Sequence, residues 1–206
     1  SRAKALYFKN NGANNCTGHD GRTVDDYTGS AYFTTTFHKD SGWWIHFYAR
    51  SGTRTVCHLL SDTDVATQGS PFLWAAQQYE HLQSKYDVDS KNAILQARGS
   101  NTTSYRLNAY SFTVDTTNSR TGAIVGYLES LTTFNATYHG FGYNPITKKY
   151  MYVARNAGST GTWREYTYSG GTFTLLGSET QMESNQIYAV SIANSDDGTS
   201  NIWVYK

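Results

Sequence analysis

The stretch GYNPITKKYMYVARNAGSTGTWREYTYSGGTFTLLG, residues 142–177, decides the fold class. Apolar and polar side chains alternate in three short runs, which is the period of a β-strand. The turn-forming letters NAGSTG separate the first two runs, and SGG separates the last two. Because glycine adopts positive φ without strain, SGG indicates a tight hairpin turn. The stretch therefore predicts an antiparallel meander with strands at 150–155, 162–168 and 172–176.

The same alternation recurs along the chain, with intervening loops that are rich in Gly, Ser and Asn. Each occurrence predicts a β-hairpin, because two alternating runs flank a turn-forming segment. The predicted hairpins pair 43–49 with 55–60, 92–97 with 105–113, and 186–192 with 201–206.

One segment, SPFLWAAQQYEHLQSKY at 70–86, has a helical period instead. Its apolar residues recur at spacings of three and four, which places them on one side of a helix. Ser70 suits the N-cap, and Pro71 suits the first helical position. The segment therefore predicts one short helix. Its apolar stripe consists of Phe72, Ala75, Ala76, Tyr79, Leu82 and Tyr86.

Together these elements predict an all-β fold, an antiparallel β-barrel or sandwich built of hairpins with long loops and one short helix. A propeller is disfavoured, because no repeat of about 40–45 residues is evident in the sequence. We expect the 206 residues to form a single β-rich domain spanning 1–206. Because residue 1 is Ser rather than Met, we expect that domain to be excised from a larger precursor.

Charge and composition argue against two classes of partner. The net charge is +1 and Lys and Arg form no basic run, so we expect no nucleic-acid partner. No apolar stretch approaches the length of a spanning helix, so we expect no membrane insertion. The two cysteines, Cys16 and Cys57, permit a disulfide, but the strand-like sequence RTVCHLL around Cys57 favours a buried free thiol.

Familiar catalytic motifs are absent from the sequence: GxSxG, HExxH, the P-loop, GxGxxG and CxxC. His46 and His58 are expected to face each other across a hairpin, but no third metal ligand accompanies them. Acidic pairs such as Asp87 and Asp89 lie in predicted loops, where Asx turns explain them. We therefore expect no enzymatic activity, no cofactor and no bound metal.

Aromatic residues carry the functional prediction. The chain has 17 Tyr, 9 Phe and 5 Trp. Tyr and Trp combine a flat apolar body with a polar tip, and they are enriched where proteins bind partners. Any single aromatic residue is more simply explained as part of the hydrophobic core, but the set as a whole predicts an exposed receptor-binding or glycan-binding surface. The candidates on the predicted strands are Trp44, Tyr48, Tyr150, Tyr152, Trp163 and Arg164.

The chain resembles the protruding spike domain of astrovirus capsid proteins, the avian type more than the human. The resemblance lies in the nearly neutral, Thr/Ser/Asn/Tyr-rich, β-rich layout and in segments such as FGYNPITKKYMYV. It implies a β-barrel core decorated by loops, a homodimer, display on the virion surface, and attachment to a host-cell receptor. It supplies no catalytic residue.

Two other readings remain open at this point. The first is a carbohydrate-binding lectin or an adhesin of cellular or phage origin, because fibre-head domains share this composition. The second is a carbohydrate-active enzyme on a β scaffold, although the sequence alone does not show two carboxylates in one cleft.

Overall fold

The structure is a computed structural model, and it is all-β in the part of the chain that it describes. The described residues are 4–5, 8–10, 16–18, 22–23, 31–50, 54–61, 67–75, 79–99, 105–115, 121–156, 160–184, 187–188, 190–195, 197 and 199–205. No helix long and apolar enough to cross a membrane occurs among these residues. The side chains of Cys16 and Cys57 lie outside the described part, so the thiol prediction stays a prediction.

Four short strands near the N-terminus form two small antiparallel pairs, β1 with β4 and β2 with β3. Their bounds are β1 Lys4–Ala5, β2 Phe8–Asn10, β3 Cys16–Gly18 and β4 Arg22–Thr23.

Twelve longer strands form three antiparallel meanders of four strands each, which we call sheets I, II and III. Sheet I consists of β5 Ala31–His38, β6 Trp43–Arg50, β7 Arg54–Ser61 and β8 Thr67–Ala75. Sheet II consists of β9 Tyr79–Asp87, β10 Asn92–Gly99, β11 Leu107–Asp115 and β12 Thr121–Leu128. Sheet III consists of β13 Ala136–Asn144, β14 Lys149–Asn156, β15 Gly161–Ser169 and β16 Thr172–Glu183.

A final pair, β17 Val190–Asn194 and β18 Asn201–Tyr205, forms sheet IV. All the predicted hairpins are confirmed, with strand ends that differ by a few residues. The tight turn is confirmed as well, since Ser169 pairs with Thr172 and the two intervening glycines both have positive φ. Two consecutive positive φ values are the signature of a primed hairpin turn, which is why glycine occupies both positions.

The predicted helix at 70–86 is wrong. Residues 67–75 form β8 and residues 79–87 form β9, so the segment ends one sheet and begins the next. The sheet supplies the hydrogen bonds here, because β8 pairs with β7 and β9 pairs with β10. Tertiary pairing has overridden the apparent helical stripe.

Neighbouring sheets contact one another through their first strands, which we call the inner or innermost strands: β5 contacts β9, β9 contacts β13, and β13 contacts β17. Of the last strands, β12 contacts both β8 and β16. The first strands β5, β9 and β13 and the start of β17 also border one common pocket, and we call the line along which they meet the axis. Sheets I, II and III thus repeat one four-stranded meander, within the all-β fold of antiparallel hairpins that the sequence predicted.

Neighbouring sheets pack face to face across three apolar layers, in the manner of a sandwich. The middle sheets are consequently buried on both faces. On β14, Tyr150 and Tyr152 pack towards sheet II, while Met151 and Val153 pack towards sheet IV.

Side chains also link the inner strands to one another. The Thr34 Oγ1 of β5 accepts a hydrogen bond from the Ser84 backbone N–H of β9 at 3.2 Å. The Gln83 side chain of β9 both donates a hydrogen bond to the backbone of β13 and accepts one from it. Asn194 Oδ1 of β17 accepts from the Tyr143 N–H of β13 at 3.1 Å. Glycine permits the last approach, because a Cβ on Gly142 would lie 2.7 Å from Ile192 Cγ2.

Candidate functional site

Three of the predicted site residues lie in the core, and their assignment to a binding surface is corrected. Tyr48, Tyr150 and Tyr152 are among the largest fully buried side chains. Tyr152 donates a hydrogen bond to Glu179 Oε1 at 2.8 Å, which satisfies its hydroxyl inside the protein. Alternation placed Tyr150 and Tyr152 on a face opposite the apolar residues, but that face packs against sheet II.

The other three predicted residues are partly exposed and do not form one surface. Trp44 lies on β6 of sheet I, where its ring is 4.9 Å from that of Phe37. Trp163 lies on β15 of sheet III and packs against the apolar layer shared with sheet IV. Arg164 donates to the backbone oxygens of Leu176 and Gly177 on the neighbouring strand β16. A role in recognition stays a prediction for each of them, for Trp44 on sheet I and for Trp163 and Arg164 on sheet III.

A different constellation emerges at the axis, and β-bulges build it. The pairing of β5 with β6 skips at Tyr32, the pairing of β9 with β10 shifts between Glu80 and Gln83, and the pairing of β13 with β14 shifts between Ala136 and His139. Each bulge lies near the start of an innermost strand. Bulges insert an extra residue and re-aim side chains, and they concentrate next to functional sites.

The re-aimed side chains converge on one pocket of about 400 Å³ where the inner strands begin, which we call the axial pocket. Three inner strands and the segment leading into β17 all contribute to it. Its described lining residues are Tyr32, Phe33, His81, Leu82, Gln83, Tyr138, His139, Tyr188 and Val190.

Aromatic rings dominate the mouth of the axial pocket. Phe33 is 65% exposed and Tyr188 is 50% exposed. The ring of His81 lies 4.9 Å from that of Tyr32 and 5.5 Å from that of Tyr138. The pocket thus offers flat apolar faces around a small number of polar atoms, the composition expected of a small-molecule site.

Backbone strain coincides with the same residues. Tyr32 has φ 52° and His81 has φ 50°, both in the left-handed region. Side chains other than Gly, Asn and Asp seldom adopt this conformation, and such residues cluster at binding and catalytic sites. Two of the five described non-glycine residues with positive φ therefore line the pocket, and the others are Lys91, Ser130 and Lys148.

The polar groups of the pocket differ in how they are satisfied. Gln83 Nε2 donates to the His139 backbone oxygen at 2.7 Å, and its Oε1 accepts from the Phe141 N–H at 2.8 Å. This amide therefore fixes β13 and is occupied at both ends. His139 is 4% exposed, and burial lowers the pKa of its imidazole to about 3. Burial also lowers the pKa of His81.

Two arginines stand close to the pocket. The Arg155 guanidinium carbon lies 4.9 Å from the ring centroid of Tyr188 and 5.9 Å from that of Tyr138, within reach of cation–π attraction. Arg98 forms a 3.0 Å ion pair with Glu80, a neighbour of the pocket residue His81. None of the described residues that line the pocket is Asp or Glu.

A second cavity of about 430 Å³ lies near the hairpin turns that follow β9 and β13. Its acidic residue Asp87 is fully engaged. Asp87 accepts hydrogen bonds from the Asp89 N–H at 3.1 Å, from Ser90 Oγ at 2.7 Å and from the Tyr143 hydroxyl at 3.1 Å. The Asx-turn interpretation is thus confirmed for Asp87, whereas the carboxylate of Asp89 forms an ion pair with Lys148 Nζ at 3.1 Å.

Within the described ranges no cluster of three or more His, Cys, Asp or Glu residues has the geometry to hold a metal. His46 and His58 are register partners across the β6–β7 hairpin, as the sequence predicted. His46 Nδ1 is hydrogen-bonded to Thr35 Oγ1 at 2.7 Å, which accounts for one of its ring nitrogens.

The axial pocket was not predicted from the sequence, although the sequence contains a signal for it. An aromatic or imidazole residue opens each of three adjacent pairs, Tyr32–Phe33, His81–Leu82 and Tyr138–His139. Each pair lies near the start of an innermost strand. Aligning the three hairpin units would have exposed this repetition, but their alternation is interrupted at the very positions where the pairs lie.

Comparisons with known proteins bear on the fold. No protein-family model matches the chain, and no curated protein matches it. Among solved structures, the chain is similar to an exo-beta-1,3-galactanase from Phanerochaete chrysosporium. The likeness to a Glu-to-Gln variant with beta-1,3-galactotriose has a TM-score of 0.55 at 10% identity, over 93% of this chain and 51% of that one. For the same enzyme with galactose, the TM-score is 0.51 at 11% identity, with the same coverage.

The chain therefore spans about half the length of these galactanase chains, and the likeness concerns the fold. It nevertheless corrects the prediction that the protein has no enzymatic activity. That prediction rested on missing motifs, whereas an exo-beta-1,3-galactanase is built on a similar fold. The missing motifs consequently carry no weight against an enzyme.

Proposed function

We propose that the protein is a carbohydrate-active domain that binds a glycan in the axial pocket. The observation that carries the proposal is the convergence of bulged residues from three successive inner strands on one aromatic-rimmed pocket. Sugar rings present apolar C–H faces, and exposed Tyr and Phe rings provide flat partners for them. The likeness to galactanase structures, one of them with a bound galactotriose, supports the proposal at the level of the fold.

Phe33 and Tyr188 are the residues that we assign to stacking. Both are aromatic, at least half exposed and part of the pocket lining. Phe33 lies on β5, and Tyr188 lies just before β17. The Arg155 guanidinium rests against Tyr188 and restricts its ring, which reduces the entropy lost when a ligand stacks on it.

Processing of the bound glycan is the second function that we propose, and the galactanase fold favours it. Hydrolysis of a glycosidic bond needs two carboxyl groups roughly 5–10 Å apart. The described lining of the axial pocket supplies binding groups and no carboxylate. A hydrolytic pair would therefore come from other residues of the chain, and an assay for products decides the matter directly.

The test combines binding with turnover. Isothermal titration with beta-1,3-galactotriose and a panel of neutral oligosaccharides is expected to give binding that Tyr188→Ala weakens by about tenfold or more, taking as a guide the roughly 1–3 kcal/mol that aromatic side chains contribute when nucleic-acid bases stack on them. Tyr127→Ala is the matched control, because Tyr127 is 46% exposed but lies on the outer strand β12, away from the pocket. Chromatography of the same mixtures after incubation detects cleavage.

If Tyr188→Ala and Tyr127→Ala lose the same affinity, the axial pocket is refuted as a glycan site. It is also refuted if the wild type binds no glycan of the panel. Binding without products would leave the domain as a lectin-like module, whereas products would establish processing.

The attachment function implied by the resemblance to astrovirus spikes remains a separate proposal, together with the homodimer, the host-cell receptor and the virion-surface location. Light scattering coupled to size exclusion chromatography tests the homodimer on which this proposal depends. A dimer at micromolar concentration would support it, and a monomer would count against it.

A further inference from the structure

The buried imidazole of His139 is the feature of the axial pocket that the fold does not explain. The side chain is 4% exposed and lines the pocket. Among the described residues, neither of its ring nitrogens has a hydrogen-bond partner. Buried polar side chains are nearly always paired, and an exception calls for an explanation.

His38 shows how the same fold treats a structural histidine. It is as deeply buried as His139, and it also lies on an innermost strand. Its Nδ1 is bonded to Ser41 Oγ at 2.8 Å and its Nε2 to the Lys91 backbone oxygen at 2.9 Å. The contrast indicates that the partners of His139 are not supplied by the described part of the protein.

The chemistry of a suitable partner follows from the protonation state of His139. Burial is the main cause of its low pKa, and the charges of His81 and Arg98 act in the same direction, so the ring is neutral. A neutral imidazole offers one N–H donor and one acceptor nitrogen. A sugar hydroxyl both donates and accepts and can satisfy either nitrogen. A carboxylate only accepts, so it can pair with the N–H but leaves the acceptor nitrogen of the neutral ring without a partner.

We infer that His139 anchors the sugar unit that enters deepest into the axial pocket, by hydrogen bonds to hydroxyl groups of a neutral sugar. The inference rests on the proposed function, since it assigns to His139 the recognition of the glycan in the axial pocket. Phe33 and Tyr188 hold the ring faces at the mouth, while His139 at the base selects hydroxyl-bearing, uncharged units over uronic or sialic acids.

The ring nitrogens are shielded from solvent, so the ligand reaches them when a lining side chain moves. Tyr32 and His81 are suited to that movement. Their backbones are held in the left-handed region, and their rings contact each other rather than a hydrogen-bonded network. Strain at such positions is relieved on rearrangement.

The first experiment compares two histidine-to-leucine variants. His139→Leu removes both unpartnered nitrogens, so the free energy of unfolding is expected to stay level or rise, while the affinity for beta-1,3-galactotriose or the best neutral ligand of the panel falls about tenfold. His38→Leu removes two satisfied nitrogens and leaves Ser41 and the Lys91 oxygen without that partner. It is expected to lower stability and to leave the affinity of the folded protein unchanged.

The second experiment needs no variant and decides the matter even if His139→Leu does not fold. Nitrogen-15 spectra of histidine-labelled wild-type protein are recorded with and without the neutral ligand, and the His139 ring nitrogens are expected to shift while those of His38 stay in place. Unchanged His139 signals, or wild-type affinity in His139→Leu, would overturn the anchor and leave glycan binding intact.

Charge discrimination provides a further check. A ligand that differs only in carrying a carboxylate at the terminal sugar is expected to bind more weakly than its neutral counterpart, and tighter binding would overturn the anchor. If the wild type binds no member of the panel, the proposed function and the anchor both fail. If the wild type binds a glycan and only the His139 tests fail, the anchor alone is refuted, so the two failures are distinguishable.

Discussion

The hydrogen bond between Gln96 and Tyr166 offers a sharp test of how sheets II and III are joined. Gln96 Nε2 donates to the Tyr166 hydroxyl at 2.7 Å, and both side chains are fully buried. Burial raises the pKa of Tyr166, so its hydroxyl is neutral at every relevant pH. The Gln96 Oε1 atom has no partner among the described residues. The pair thus combines one good hydrogen bond with one unsatisfied acceptor.

Tyr166→Phe would leave the Gln96 amide N–H groups buried and unpaired, which lowers the free energy of unfolding by about 1–3 kcal/mol. Gln96→Leu would orphan the Tyr166 hydroxyl but also remove the unsatisfied Oε1, so its effect is smaller, about 0–1 kcal/mol. The double variant has no polar atom left at this contact and should lie within about 1 kcal/mol of the wild type. The coupling free energy is therefore about 2 kcal/mol in favour of the double variant.

Guanidinium chloride denaturation of the four proteins measures these values, with unchanged m-values as the check that only stability differs. A double variant whose loss equals the sum of the two single losses would refute the reasoning, because it would show that unpaired polar atoms at this contact carry no penalty.

Three further predictions concern other sites. Gly142→Ala should lower stability by about 1–3 kcal/mol, because its Cβ would lie 2.7 Å from Ile192 Cγ2, and a second substitution, Ile192→Ala, should relieve part of that loss in thermal melts. Trp163→Ala should lower stability by about 2–3 kcal/mol, since the ring is only partly buried against its apolar layer, and glycan titration of the folded variant should match the wild type. The pKa of His139 is about 3 in the folded protein against an ordinary histidine pKa of 6.5, so the unfolded chain binds more protons and stability should fall as pH decreases from about 6.5 towards 3. His139→Leu should flatten that part of the pH profile, and an unchanged slope would contradict a neutral buried imidazole.

The strands were predictable because alternation and turn residues act locally. The tight turn at Gly170 and Gly171 and the register of the β6–β7 hairpin follow from neighbouring residues alone. The side chains that face solvent were not predictable, because exposure depends on which sheet packs where. Tyr150 and Tyr152 alternate correctly with Met151 and Val153, yet both faces of β14 are buried.

The wrong helix and the missed pocket have one physical cause. On β9, Tyr79 and Leu82 are both buried although they are three residues apart, because the bulge between Glu80 and Gln83 adds a residue and shifts the alternation. A spacing of three is what an amphipathic helix produces, so the bulge imitates a helical stripe in the sequence. The same extra residue turns His81, which has a left-handed φ, towards the axis. Register shifts also occur between β7 and β8, β11 and β12, and β15 and β16, so a departure from the strand period indicates a site only where several such residues meet at one pocket, as Tyr32, His81 and Tyr138 do.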